Sequence, residues 1–475
     1  MSTKYKLQSV KLVNPVSGKE GADFGQMVSE ISIVESIDFP AIRCTVTVED
    51  AISTYTKLTG NELLQIEYTL PDLGQKKSYI FKVYRVGPIV KLHQKARYNI
   101  ECISQECMIN ELSYIFGSYK NKKVSEIIKE ILTSGPQSGD KSTKQTSKGI
   151  NILSRNKKLE IEDTKDKFQC VIPGMRAFDA VNWLGSKAVR NNPSSGASFQ
   201  SGFIFYENFD GFYFKSFDKI VEDCKNFKEY TDRNGNKIKS WYYKYQPKKS
   251  SDDSTVKDYG IIESIQYPDV FNLTEPVRNG SYAGLFTSLA LDVIPNSQFN
   301  KPKGNKQAPY SGIYFSLTSG TAGDFANLYA KQSHLGSISP YENNKEDYTF
   351  RATRRNRMKA DMIHAFDDPN EKTPTLESGS NPVRAKEVSV YTHARKTTFS
   401  SIKLSIRIAG NAAMHVGNPI TVEIPRQIPD EGKIELDTIY SGLYVIAGVR
   451  QQLNGNVMFS DLVLVKDSLG SSIPK

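Results

Sequence analysis

The chain has 475 residues, with 62 Lys and Arg against 52 Asp and Glu and a formal charge of +10. That length holds about two to four domains with room for real cores. The lysines are scattered rather than striped, so the charge permits a nucleic-acid partner without demanding one. Cys44, Cys102, Cys107, Cys170 and Cys224 are odd in number and form no CxxC pair, which argues against a disulfide framework or a structural zinc site and fits a reducing compartment. The opening MSTKYKLQSV has no apolar core, and no run approaches ~18 apolar residues, so neither a signal peptide nor a membrane span is expected.

From about Ile31 the first part reads as β-structure. AIRCTVTVE (41–49) sets Ile42, Cys44, Val46 and Val48 against Arg43, Thr45 and Thr47, and LLQIEYTL (63–70) alternates in the same way until Pro71. YIFKVYRV (79–86) and RYNIECI (97–103) follow, with a turn region beginning at Gly87-Pro88 between them.

The middle of the chain changes character. Val124, Ile127, Ile128, Ile131 and Leu132 share one helical face, and a second helix is predicted from Met175 to Arg190. FIFYENFDGFYF (203–214) is an aromatic hairpin turning at Asp210-Gly211, and NGN (234–236) marks another turn. Residues 134–149, 250–258, 296–309 and 367–382 are polar loops or linkers. A helix is predicted over 347–365, where Arg351, Arg354, Arg355, Arg357 and Lys359 would gather cations on one side for phosphate or a neighbouring subunit.

The last stretch returns to strands. IKLSIRI (402–408), ITVEIP (420–425), LYVIAGV (443–449) and VMFSDLVLV (457–465) alternate, the last two flanking Asn454-Gly455. Glycine, a strand ending in Pro, a richer strand, a turn and a further strand thus occur as Gly60 to Ile103 and again as Gly417 to Val465. VSEISIVES (28–36) and AIRCTVTVE have KEVSVYTH (386–393) and IKLSIRI as rough counterparts. An internal duplication is expected, with other material inserted between the copies.

No constellation asks for catalysis. His93, His334, His364, His393 and His415 are dispersed without an HExxH, and His415 is expected to serve a turn. Cys102 and Cys107 read as a core and a helix-face cysteine. Glu106, Glu111, Glu126 and Glu130 sit at ordinary surface spacing on helices, and no GxxxxGK[ST] or GxGxxG supplies a phosphate loop. No catalytic, cofactor-binding or metal residue is assigned.

GNAAMHVGNPITVEIP (410–425) followed by YSGLYVIAGVRQQLNGNVMFSDLVLVKDS (440–468) resembles the closing motif of baseplate hub proteins of contractile phage tails, including the late-control D proteins and the VgrG hubs of secretion systems. The resemblance implies an α+β, β-dominated chain with tail-tube-like antiparallel β-barrel domains at 1–115 and 384–475. An α/β domain at 116–224 and a mixed insertion domain at 225–383 would lie between them. It further implies a homotrimeric, pseudo-hexameric ring joining the tail tube protein to a central spike protein. Wedge proteins and the tape measure protein are further implied partners, and DNA passes through the ring. Location would be the virion tail baseplate, after assembly in the host cytoplasm. VgrG hubs continue into a fused needle; here Lys475 follows soon after KDS, so a separate spike polypeptide is expected, in a phage tail or tailocin. Polar residues such as Lys403, Ser405 and Arg407 would line the channel or meet a neighbour. The alternatives are a cell-wall or polysaccharide hydrolase with β-rich binding domains, and a monomeric carbohydrate- or nucleic-acid-binding module.

Overall fold

Alternation of apolar and polar residues makes strands along the first hundred residues, beginning earlier than Ile31. The computed structural model describes residues 3–14, 20–134, 149–152, 157–165, 167–191, 200–246, 259–268, 278–281, 283–290, 310–316, 332–337, 356–361, 364–366, 382–426 and 435–470. In it β1 (Thr3–Lys4), β2 (Lys6–Val13), β3 (Glu20–Asp23), β4 (Val28–Ser36), β5 (Phe39–Asp50), β6 (Leu63–Leu70), β7 (Gln75–Val86), β8 (Val90–Leu92) and β9 (Lys95–Ser104) follow one another. β6 shows the cause: Leu64, Ile66, Tyr68 and Leu70 are fully buried while the residues between them are half-buried. Gly87-Pro88 is not the hairpin turn. The strand only breaks there and resumes as β8, and the reversal comes at His93-Gln94.

An α/β unit comes next: α1 (Gln105–Leu112), β10 (Tyr114–Lys123), α2 (Val124–Thr133), β11 (Lys158–Ile161), β12 (Lys167–Arg176), α3 (Ala177–Gly185), β13 (Phe203–Glu207), β14 (Gly211–Ser216) and α4 (Phe217–Lys225). The five apolar residues predicted for α2 are all 0% exposed, so the periodic stripe is the face that enters the core. α3 is shorter than predicted, yet Phe178, Val181 and Leu184 are buried as its stripe requires. The aromatic hairpin β13–β14 stacks Phe203 on Phe214 at 4.9 Å and Phe205 on Phe212 at 5.8 Å between ring centroids.

The remaining elements are β15 (Tyr230–Thr231), β16 (Lys237–Ile238), β17 (Trp241–Lys244), β18 (Ile262–Gln266), β19 (Ala283–Ala290), β20 (Tyr310–Ser316), β21 (Asn356–Asp361), β22 (His364–Phe366), α5 (Pro382–Phe399), β23 (Ile402–Ala409), β24 (Pro419–Glu423), β25 (Gly442–Asn454) and β26 (Val457–Lys466). The NGN turn lies between β15 and β16, as expected. Two other expectations fail. The helix at 347–365 is replaced by strands where it is described: β21 pairs in parallel with β19, and β22 pairs with β12. Open sheet edges there outweigh local helical preference. Arg357 and Lys359 therefore stand two apart on a strand, and Arg351, Arg354 and Arg355 fall outside the described residues. KEVSVYTH is helical within α5, because Val388, Tyr391, Arg395 and Phe399 recur at helical spacing on a buried face. Of the loops expected at 134–149, 250–258, 296–309 and 367–382, all but residues 134, 149 and 382 lie outside the described residues.

Fifteen strands belong to one sheet, whose path runs β18-β23-β26-β25-β4-β5-β9-β7-β6-β2-β3. This corrects the expectation of two β-barrel domains: the path is open, and among the described residues no sheet closes on itself. The physical reason is visible at the joint, where the edge that β25 and β4 would need for closure within their own ends of the chain is given to each other. Packing of α2 sets one expectation. Ile128→Ala, which empties a fully buried site, is expected to cost about 2–5 kcal/mol in urea unfolding. Lys129→Ala on the exposed side should change stability by less than about 0.5 kcal/mol.

Candidate assembly interface

The two ends of the chain repeat each other strand for strand. β4-β5-β9-β7-β6 and β18-β23-β26-β25-β24 are bonded in the same order and all antiparallel. Irregularities recur at the same rungs. The β4–β5 register shifts between Val28 and Glu30, and the β18–β23 register between Ile262 and Ser264. The β7–β9 register shifts between Val83 and Arg85, and the β25–β26 register between Ile446 and Gly448. Val83 N–H donates to Glu62 O at 3.2 Å as Ile446 N–H donates to Asn418 O at 3.0 Å. Bulges are specific local features, so shared bulges mark equivalence more strongly than shared strands do. The counterpart of β4 is thus β18, not the helical KEVSVYTH.

β25 is where the copies meet. It has β26 along one side; along the other it pairs first with β24 and then, from Gly448 to Asn454, with Ser36 to Glu30 of β4. Arg450 Nε donates to Ser32 Oγ at 3.1 Å and Gln452 Nε2 to Glu30 Oε1 at 3.2 Å on the outer face. On the inner face Tyr68 donates to Gln451 Oε1 at 2.6 Å, and Leu453 and Met458 enter the first copy's core. Arg407, placed outward with Lys403 and Ser405 as expected from alternation, is held by Asp461 at 2.6 Å. The equivalent edges elsewhere have no strand partner among the described residues: β7–β8 beyond Lys82, and the outer side of β18 over Ile262–Gln266. Tyr84, Ile89 and Val90, on or beside the first of these edges, are 47%, 42% and 53% exposed.

Beneath the joint lies a buried ionic chain. Lys77 Nζ is 2.6 Å from Asp232 Oδ2 and 3.0 Å from His415 Nε2, and His415 Nδ1 is 3.2 Å from Glu35 Oε1. An ammonium donating to Nε2 leaves the imidazole proton on Nδ1, facing the Glu35 carboxylate. The Phe209 ring sits 3.6 Å under Lys77 Nζ, and its backbone N–H donates to Glu35 at 3.1 Å. Burial pulls the Lys77 amine below its ordinary value against the pull of Asp232. For Asp232, burial pushes upward, but Lys77 and Asn236 outweigh it and hold the carboxyl below its usual range. First copy, second copy, aromatic hairpin and the β15–β16 turn are tied at one point. His415 therefore does more than serve a turn. The turn beside it belongs to Gly417, at φ +85, where an added Cβ would meet the Tyr206 hydroxyl at 2.5 Å.

Other carboxylates are equally committed. Glu106 is not a surface residue but 1% exposed, and Lys157 bridges it at 2.7 Å to fully buried Glu207 at 2.5 Å. Burial raises the Glu207 carboxyl, opposed by Lys157. Glu126 closes the start of α2 by accepting from Lys123 N–H, and Glu130 pairs with Lys122. Arg395 of α5 is fully buried between Asp218 at 3.1 Å and Asp467 at 2.9 Å. His93 is in an exposed turn, His334 lies by Asp467, His364 is on β22, and His393 faces Gly280 O. Among the described residues no group of three or more His, Cys, Asp or Glu could hold a metal. Cys102 and Cys107 are buried on β9 and α1, and all five cysteines are free. Lys77→Met is expected to cost about 3–5 kcal/mol in denaturant unfolding, because Asp232 is left buried and unpaired; adding Asp232→Asn should restore part of the loss.

No family model matches the chain, and no curated protein matches it. Among solved structures, it is similar to the tail protein from Neisseria meningitidis MC58, at 11% identity and TM-score 0.46, covering 98% of this chain and 97% of that one. It is similar to the 43 kDa tail protein of prophage MuSo2 from Shewanella oneidensis, at 9% identity and TM-score 0.44, covering 97% and 99%. It is also similar to a chain of the lidded Francisella PdpA-VgrG complex, at 8% identity and TM-score 0.42, covering 100% of this chain and 54% of that one.

Proposed function

We propose that the protein is a structural hub of a contractile tail, a ring-forming adaptor between tail tube and central spike. The observation that carries this is the β25–β4 joint. One copy offers a β25-type edge and the other a β4-type edge; within the chain a single such pair is used. Among the described residues, what remains without a strand partner is the β7–β8 edge of the first copy and the β18 edge of the second, the same two kinds of edge. Chains would therefore join head to tail through a heterologous contact that repeats the internal one, and such contacts close into rings when the rotation permits.

The closing motif at 410–425 and 440–468 supports three chains per ring, giving six similar copies. Six matching units suit a hexameric tube on one side, and threefold symmetry suits a trimeric spike on the other. Wedge proteins would bind outside and DNA would pass through the centre. The role is mechanical. Buried Glu106, Glu207, Asp218, Asp232 and Asp467 are each paired with a Lys or Arg, which does not favour the hydrolase alternative.

Light scattering with negative-stain imaging tests the reading. A trimeric mass and a ring with a central hole, formed alone or with spike protein, are expected. A chain that stays monomeric with both tube and spike proteins, or that degrades cell wall, overturns it.

A further inference from the structure

The internal joint and its open counterpart differ in one respect. Arg85 and Val86 correspond to Gly448 and Val449, since both follow the shared bulge, and Val90 corresponds to Gln452, since Arg97 and Phe459 lie opposite them at equivalent rungs. Three residues, Gly87, Pro88 and Ile89, thus stand where the second copy has two, Arg450 and Gln451. Pro88 is exposed and has no N–H to donate. On the other edge, Ile265 and Gln266 pair with Ile406 and Ser405 as Ile31 and Ser32 pair with Val46 and Thr45. Continuing that count, Pro268 stands where β4 has Val34, and Val34 is the partner of Arg450 in the internal joint. Gly87 N–H donates to Asn99 O at 2.7 Å, which gives Gly87 the rung of Arg450, so Pro88 and Ile89 stand where the second copy has Gln451 alone. One open edge therefore carries a proline at the rung of Val34, and the other carries one at the rung next to that of Arg450.

We propose that Pro88 and Pro268 together are a brake on pairing between copies of this chain, an inference that rests on the ring reading. Proline and an inserted residue are standard ways of blunting an edge strand. Among the described residues they leave Ser264–Gln266 facing Val90–Leu92 for a ladder between chains, against seven register pairs from Gly448↔Ser36 to Asn454↔Glu30 within the chain. The partner that fits is still a second copy, because the flanking rungs match the internal joint and the apolar Tyr84, Ile89, Val90 and Tyr267 lie exposed beside them. Association between chains is then conditional: weak for the isolated protein, and completed when a template holds several copies at once.

The test is sedimentation velocity on the full chain over a wide concentration range, comparing wild type with Pro88→Thr/Pro268→Val. The double variant is expected to associate at a midpoint about tenfold lower or better, a gain of about 1.4 kcal/mol, and Val90→Lys in that background should reverse it. A wild type that forms trimers as readily as the double variant overturns the brake and leaves the ring reading standing. Two folded chains that never associate, with spike protein present or absent, overturn both. If the double variant does not fold, Pro268→Val alone, at an exposed residue beyond the end of β18, gives the same comparison.

Discussion

Backbone pairing between β25 and β4 is the constraint on which the rest of the molecule depends. Each hydrogen bond in such a ladder contributes only about 0.5–1.5 kcal/mol net, so the joint holds because its two faces are also used. Outside, Arg450 and Gln452 reach across to Ser32 and Glu30; inside, Leu453, Gln451 and Met458 are drawn into the first copy's core. A slip of one residue would turn Leu453 outward and Asn454 inward. The register is therefore fixed by burial rather than by the bonds themselves.

Lys77, His415, Glu35 and Asp232 reinforce that register from below. A buried charge left unpaired is expensive, so such a chain tolerates few arrangements. It recruits Phe209 from the aromatic hairpin and Asp232 from the β15–β16 turn, segments outside either copy. Arg395 does similar work at the other end, where α5, α4 and the segment after β26 converge. Two ionic knots, each built from segments far apart in sequence, hold the inserted material against the sheet.

Much of this was legible in the residues. Alternation locates β4 to β7, β9 and β23 to β26; the apolar stripe locates α2; and repeated punctuation points to duplication. Even the ionic chain left a trace, since Lys77 and Glu35 occupy inward phases, in step with Tyr79, Phe81 and Val83 and with Ile31 and Ile33. What alternation could not show was the partner of each strand. Val388 and Val390 fit a strand as well as a helix, and only the burial of Tyr391 and Arg395 decides for α5. β18 is five residues of ordinary polarity, and its equivalence to β4 rests on register and a bulge. Barrels were expected from the resemblance carried by the closing motif; pairing between the two ends of the chain removes that possibility. Glu106 shows the same limit, since nothing near it in sequence announces Lys157.

The position of β18 has a consequence in time. Its partner β23 is made well over a hundred residues later, and β1 pairs with β26 at the opposite end of the chain. Pairings so distant in sequence form slowly, and on a ribosome they wait until β23 and β26 have been made. Until then β4, already folded onto β5, presents a bare edge lined by Ile31 and Ile33. The first copy is thus the part of the nascent chain most in need of shelter, and the arrival of β25 is the event that ends its exposure.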